Sequence, residues 1–394
     1  MLEPAMRLAD ITLGLRKAAL GPAHPDTLDT MANLAIACQF AGYPDRALPL
    51  LEETLRLRTA TLGPDHPDTL NSINNLVAAY CNAGRLEEAE RLCEETLKKR
   101  VAALGPDHPD TLTSKHNLGM VYSESGKWDQ AIPLLEETLK IKRATQRADH
   151  SGTLLTMNGL AGAYQNVGRW EYAIALFNEA LQLSRRKLGD THSLTIRLMG
   201  NTACAYQEAG RLDDALSLHQ ETASLAKARL GPDHPQTSRS LSNLAWAYAA
   251  VGDLERASSL LTEALKAQTV RLGPEHPDTL TTQAQLSKCL LRQGNCTAAA
   301  ALARECLNLR EKRTPDHWRT FELQVTLGTA LLHQRLYEEA ESRLIRAYDG
   351  LKQRKQTIPA AYHGLLNETV RALVELYEAR DKPAEATKWQ RELP

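Results

Sequence analysis

No apolar run in this sequence approaches the roughly 20 residues that a membrane-spanning helix needs. The N-terminal MLEPAMRLAD lacks the basic start and apolar core of a signal peptide. No two cysteines stand in C-x-x-C spacing, and their number, seven (Cys38, Cys81, Cys93, Cys204, Cys289, Cys296, Cys306), is odd. Most fall on apolar helical positions, where a free cysteine behaves as a small hydrophobe, so a soluble chain in a reducing, cytoplasmic compartment is expected. Neither sign of charge is in excess. With 47 Lys and Arg against 48 Asp and Glu there is no electrostatic footprint for nucleic acid or an anionic membrane, and neither is expected as a partner. G-x-S-x-G, P-loop, G-x-G-x-x-G and H-E-x-x-H signatures are also missing. The expectation is a non-enzyme with no cofactor.

What the chain does contain, it repeats. LGPDHPDTL runs from Leu62 to Leu70 and again from Leu104 to Leu112, with LGPAHPDTL at Leu20 and LGPEHPDTL at Leu272. The histidines of these stretches and their degenerate relatives are His24, His66, His108, His150, His192, His234, His276 and His317, six intervals of 42 residues followed by one of 41. A fixed period of this length is the mark of a repeat array, which lets a chain of 394 residues grow by stacking rather than by enlarging one core.

Within the unit that starts at His66, Leu70, Ile73, Leu76, Val77 and Tyr80 form one stripe of an α-helix, which Asn82-Ala83-Gly84 ends with a C-terminal glycine. A second helix from near Leu86 to about Ala103 carries Ala89, Leu92, Cys93 and Leu97 on its apolar side. Glu87, Glu88 and Glu90 near its start and Lys98, Lys99 and Arg100 near its end complement the helix dipole. The nine-residue stretch is then the connector between helical hairpins, its glycine and prolines stopping one helix and starting the next.

Eight periodic histidines invite a metal reading. Equivalent points on successive repeats are at least a helix packing distance of ~8–10 Å apart, while zinc ligands must each lie about 2 Å from the ion. The histidines are therefore expected to hydrogen-bond the connector or the next helix, with no metal site. The pairs Glu52/Glu53, Glu94/Glu95 and Glu136/Glu137 read as a solvated outer face.

The order Leu76, Tyr80, Gly84, Ala89 recurs as Leu118, Gly119, Tyr122, Gly126, Ala131 and as Leu244, Ala245, Tyr248, Gly252, Ala257. It resembles the tetratricopeptide repeat, and the 42-residue period with LGPDHPDT resembles the kinesin light chain type of that repeat. The resemblance implies an all-α, right-handed solenoid of eight hairpins over residues 21–357, with an orphan second helix at 1–20 and a capping helix pair at 358–394. The C-terminal part is similar to the repeat-bearing tails of bacterial serine/threonine kinases. A chain that opens in mid-repeat suggests a fragment of a larger signalling protein, the alternative being a stand-alone cargo or assembly adaptor of kinesin light chain kind. The degenerate junctions QRADHSGTL, LGDTHSLTI and TPDHWRTF are expected to bend differently.

By the same resemblance the first helices line a concave groove that binds peptides or partner proteins. The stripe facing it holds Asn33, Asn75, Asn117, Asn201 and Asn243, amides that could pair with the backbone of an extended ligand or link neighbouring helices. Arg197, Arg239 and Trp246 enrich one segment of it, and the earlier counterparts of Trp246 are Ile36, Ala78, Met120, Gly162 and Cys204. Tryptophan and arginine are enriched at binding hot spots. An acidic peptide with a bulky apolar anchor is the expected ligand, Trp246 either anchoring it or filling a gap between helices. Trp128 and Trp170 take the place of Leu86, Leu212 and Leu254 and read as core.

Overall fold

The computed structural model describes residues 2–40, 43–146, 148–232 and 234–393. Among them the chain forms nineteen α-helices and two 3-10 turns, with no strand. A lone α1 (Leu2–Leu20) precedes eight successive pairs: α2 (Pro25–Phe40) and α3 (Pro44–Leu62), α4 (Pro67–Asn82) and α5 (Leu86–Leu104), α6 (Pro109–Glu124) and α7 (Trp128–Thr145), α8 (Ser151–Asn166) and α9 (Trp170–Leu188), α10 (Ser193–Glu208) and α11 (Leu212–Leu230), α12 (Pro235–Ala250) and α13 (Leu254–Leu272), α14 (Pro277–Arg292) and α15 (Cys296–Arg313), α16 (Trp318–His333) and α17 (Tyr337–Gln353). A last pair, α18 (Leu365–Ala379) and α19 (Pro383–Gln390), follows 3-10 turns at Lys355–Thr357 and Ala360–Tyr362. This is the solenoid order expected from the repeat. The chain divides into two compact units, residues 1–160 with 270–276 and residues 161–269 with 277–394.

The connector sets where each helix stops. Gly63 takes φ 89°, ψ 165°, a region that only glycine enters without strain, and its N–H still donates to Thr59 O at 3.1 Å. The next helix starts with a histidine. At His24, His66, His108, His150, His192, His234 and His317 the imidazole Nδ1 accepts the backbone N–H two residues on, at 3.1–3.3 Å. Histidine thereby satisfies one of the orphan donors at a helix start, the task usually given to Ser or Asp. A threonine closes the loop: Thr69 Oγ1, fully buried, donates to Gly63 O at 2.8 Å, and Thr237 does the same to Gly231 O at 2.8 Å.

Of the three degenerate junctions, two differ from the rest. Gln146 (φ −127°, ψ 161°) and Thr314 (φ −138°, ψ 60°) replace the glycine with negative-φ backbone. LGDTHSLTI is corrected, because Gly189 keeps φ 82°, ψ 166° there. Glycine rather than proline governs the bend.

Successive elements of the first unit are joined by a cation at one repeat position, half-buried at Arg16 and buried at Arg58, Arg100 and Lys142. Arg16 donates to Asp26 O and Thr30 Oγ1, both at 2.8 Å. Arg58 donates to Asp68 O at 3.1 Å and Ser72 Oγ at 2.9 Å, and Arg100 to Asp110 O at 3.0 Å and to Ser114 Oγ. Lys142 follows, 3.2 Å from Gly152 O and 3.0 Å from Thr156 Oγ1, its pKa pushed down to about 8 by burial. Glu52, Glu94 and Glu137 are likewise not idle surface charges: Tyr80 donates to Glu52 at 2.8 Å, Tyr122 to Glu94 at 2.9 Å and Lys115 to Glu137 at 2.8 Å. Each phenol ties a first helix to the second helix of the preceding hairpin, while Glu52, Glu94 and Glu137 themselves stay exposed to solvent.

His219 on α11 breaks an otherwise apolar column. The equivalent positions are Leu51, Cys93, Leu135, Phe177 and Leu261. His219 is fully buried, neither ring nitrogen has a hydrogen-bond partner, and burial pushes its pKa down to about 4.

The caps and the buried imidazole each lead to a measurable outcome. His66→Ala, which deletes one cap, is expected to cost about 1 kcal/mol in urea denaturation, while His66→Asn, which can cap, costs less. For His219 the fold favours the neutral ring, so the stability it contributes is complete above its ordinary pKa of 6.5 and is lost as pH falls towards about 4. His219→Leu is expected to raise the melting temperature and to remove up to ~3 kcal/mol of the acid-induced loss in that window, measured by denaturation across pH.

Candidate functional site

In the second unit the first helices α10, α12, α14 and α16 pack in succession. Where α12, α14 and α16 present their shared face, a cavity of about 170 Å³ opens. Trp246 of α12 forms one wall, and Gln285 and Lys288 of α14 continue it. By the 42-residue register, Gln285 is the counterpart of Asn243 and Lys288 that of Trp246. Arg310 of α15 and Arg319 and Glu322 of α16 also line the cavity.

The cavity is unbalanced in charge. Lys288 Nζ lies 3.7 Å from Glu322 and 3.8 Å from Glu368. Arg292, Arg310 and Arg319, which also line it, form no ion pair with a carboxylate among the described residues. Arg310 is 7% exposed, donates to Thr281 Oγ1 at 3.4 Å, and has no acceptor for its Nε. Desolvation lowers its pKa, opposed by the neighbouring Cys306 and Glu322 and reinforced by the charge of Arg319, and burial pushes the Cys306 thiol up. Arg310 occupies the repeat position of Arg58, whose guanidinium meets the Asp29 carboxylate. Thr281 stands where Asp29 would be. The arginine is kept and the carboxylate is not, as also at Arg100, where Asn71 holds the Asp29 position.

The chain between α17 and α18 closes the far side. Ile358 is buried, His363 Nε2 lies 2.8 Å from Ile358 O, and the Tyr362 ring packs on Trp318 with centroids 4.5 Å apart. Gly168, whose φ of +77° favours glycine, sits against this strap: a Cβ there would lie 3.2 Å from the Ala360 methyl. Tyr362 lines the cavity beside Arg319. Burial, reinforced by Glu322, holds its hydroxyl protonated. Burial also pushes the nearby Glu208 carboxyl up to about 7, against the opposing influence of Gln165 and Trp170.

Of the eight residues singled out by the sequence, Asn33, Asn75 and Asn117 lie in the first unit and the other five in the second. Asn33 is exposed, Asn75 is half-buried, and Asn117 Nδ2 donates to Asn74 Oδ1 of the preceding first helix at 2.7 Å. Arg197 keeps an exposed surface although protein atoms crowd its guanidinium, and this desolvation, followed by the charge of Arg239, lowers its pKa. Arg239 pairs with Asp278 at 2.7 Å. Asn201 is half-buried, and Asn243 Nδ2 lies 3.8 Å from where a side chain on Gly200 would begin. Trp246, half-buried, is the member of this set that lines the cavity. Trp128 and Trp170 are half-buried. Gln285, Lys288 and Arg310 could have been found by carrying the repeat columns to the C-terminal end, whereas Tyr362 lies beyond the period and leaves no such signal.

Comparison with known proteins places this geometry in a family. The family model described as tetratricopeptide repeat matches residues 69–144, 152–228, 205–269 and 259–312, and a second of the same description matches 27–68. No curated protein matches the chain. Among solved structures it is similar to the nearly identical TPR-like repeats of a kinesin light chain protein from Podosopora anserina, at 29% identity over 52% of this chain and 98% of that one, TM-score 0.45. It is also similar to Rap protein complexed with Competence and Sporulation Factor (12% identity, 93% of this chain and 96% of that one, TM-score 0.60) and to the apo quorum sensor NprR from B. thuringiensis (14%, 93% and 97%, 0.56). The last two share its fold. With a family model matching more than half of its length, the chain belongs to the tetratricopeptide repeat family.

Proposed function

We propose that the chain is a non-catalytic protein-interaction scaffold and that its second unit takes up an extended peptide or a segment of a partner protein in a concave groove running past Trp246. The observation that carries this reading is the cavity itself: an aromatic side chain that the repeat does not demand forms the wall of a side-chain-sized hollow on the first helices. The surplus of arginine over carboxylate around it supports an acidic ligand with an apolar anchor. Rap, which shares the fold, is described in complex with Competence and Sporulation Factor, and we extend ligand capture of that general kind to this chain. In this reading Arg197, Asn201, Arg239 and Asn243 flank the cavity's approach, and the whole acts as the sensing part of a larger signalling protein.

The test begins with capture of partners on the purified chain and identification by mass spectrometry, followed by affinity and melting measurements on Trp246→Ala. The substitution is expected to weaken binding of a captured partner by at least ~2 kcal/mol, about thirtyfold, with the fold retained. A loss of folding stability of about 3–5 kcal/mol with unchanged affinity would show that Trp246 is merely core and would remove the site.

A further inference from the structure

Arg310 presents a problem that packing alone does not solve. A guanidinium buried to this degree ordinarily has a carboxylate or a full set of acceptors, because an uncompensated buried charge is costly. The equivalent residues show how the repeat meets that requirement: Arg58 has two acceptors on the next hairpin and the Asp29 carboxylate, and Arg100, whose Nε also lacks an acceptor, has two acceptors and the through-space attraction of Asp110 and Asp65. Arg310 has one long contact to Thr281, the Cys306 thiol beside it and only the through-space attraction of Glu322, and it lines a cavity that also holds Arg292 and Arg319. Lys288 and Glu322 offset one another there. Three guanidinium charges remain for whatever enters.

We propose that this cavity is a phosphoryl-binding site that holds a phosphomonoester carried on a peptide, with Arg310 and Arg319 gripping its oxygens and Trp246 and Tyr362 flanking the group that bears it. The inference rests on the reading of the groove as the ligand site and names the chemistry of its deepest point. A carboxylate supplies one negative charge, whereas a phosphomonoester carries about −1.5 to −2 near neutral pH and three acceptor oxygens, a closer match to three cations. Guanidinium forks bind such oxygens in pairs, and Arg292, Arg310 and Arg319 all line this cavity. The Tyr362 hydroxyl adds a neutral donor. A volume of about 170 Å³ suits a single charged group and its linking atoms, well below the ~300 Å³ at which sites for whole small molecules begin.

Calorimetric titration of the full chain with phenyl phosphate, and in parallel with benzoate, separates the two anion chemistries on one apolar carrier. Phenyl phosphate is expected to bind saturably at one site and at least tenfold more tightly than benzoate. Arg310→Gln and Arg319→Gln are each expected to weaken it at least tenfold. Arg310→Gln should leave the melting temperature of the free protein unchanged or higher, because an unpaired buried charge has gone. If Arg310→Gln does not fold, the half-buried Arg319 decides the matter through its own variant. Equal binding of benzoate, absence of saturable phenyl phosphate binding, or wild-type binding by both variants overturns the proposal. If phenyl phosphate fails while a captured partner still depends on Trp246, the groove reading survives and the phosphoryl site falls. Arg310-dependent phenyl phosphate binding with a partner indifferent to Trp246 upholds the phosphoryl site and removes the groove reading.

Discussion

The order of this chain depends on one hydrogen bond made again at seven of its connectors, from a backbone N–H to the Nδ1 of a histidine. A helix start left uncapped can slide by a residue, and a slide of one residue in a helix turns every following side chain by about 100°. The imidazole fixes the first turn, and glycine at positive φ fixes where the previous helix ends. Together they keep the hairpins in register, so that residues 42 apart reach equivalent places. Only because that register holds can a single departure, such as His219 or Trp246, become a local property of the fold.

The same register gives a position two different uses. At Arg58 a cation at the end of a second helix is satisfied by the next hairpin and by Asp29, and it serves cohesion. At Arg310 the cation persists while Thr281 replaces the carboxylate and a cavity opens in front of it. The physical cost of a buried charge is unchanged between the two. What differs is whether the chain itself supplies the compensation, and that difference is the basis for proposing an anion as the cavity's occupant.

Much of the fold was legible because its signals are local and repeated. Leu76, Tyr80, Gly84 and Ala89 mark one hairpin and recur in others, and the helix ends at Asn82 and Leu104 fall within a residue of where glycine and the connector place them. The cavity was less legible. Trp246 stood out because its counterparts are small or aliphatic, but Arg239 beside it spends its charge on Asp278 and Asn117 on Asn74, pairings that depend on side-chain reach between helices. The clasp of Arg16, Arg58, Arg100 and Lys142 was visible as a column yet hidden in meaning, since a basic residue near a helix end is equally well explained by the dipole. Tyr362 enters the cavity from a strap outside the period, and no periodic argument reaches it.

The clasp column also has a direction along the chain. After Arg16, Arg58, Arg100 and Lys142 come Ser184, Ala226 and Gln268 before Arg310 returns. Ser184 still shares a hydrogen bond with Thr195 at 2.7 Å, Ala226 has nothing to offer, and the buried Gln268 leaves its Oε1 without a partner. In an array whose stability is the sum of hairpins and the seams between them, weak seams are where cooperativity is interrupted. The stretch from Ser184 to Gln268, which contains Arg197, Asn201, Arg239, Asn243 and Trp246, is therefore the part of the array that lacks this buried clasp. There the second helices are tied to one another instead, by Arg185 to Glu221 at 2.7 Å and Lys227 to Glu263 at 3.0 Å, so cohesion passes from a buried clasp to ion pairs that added salt can screen.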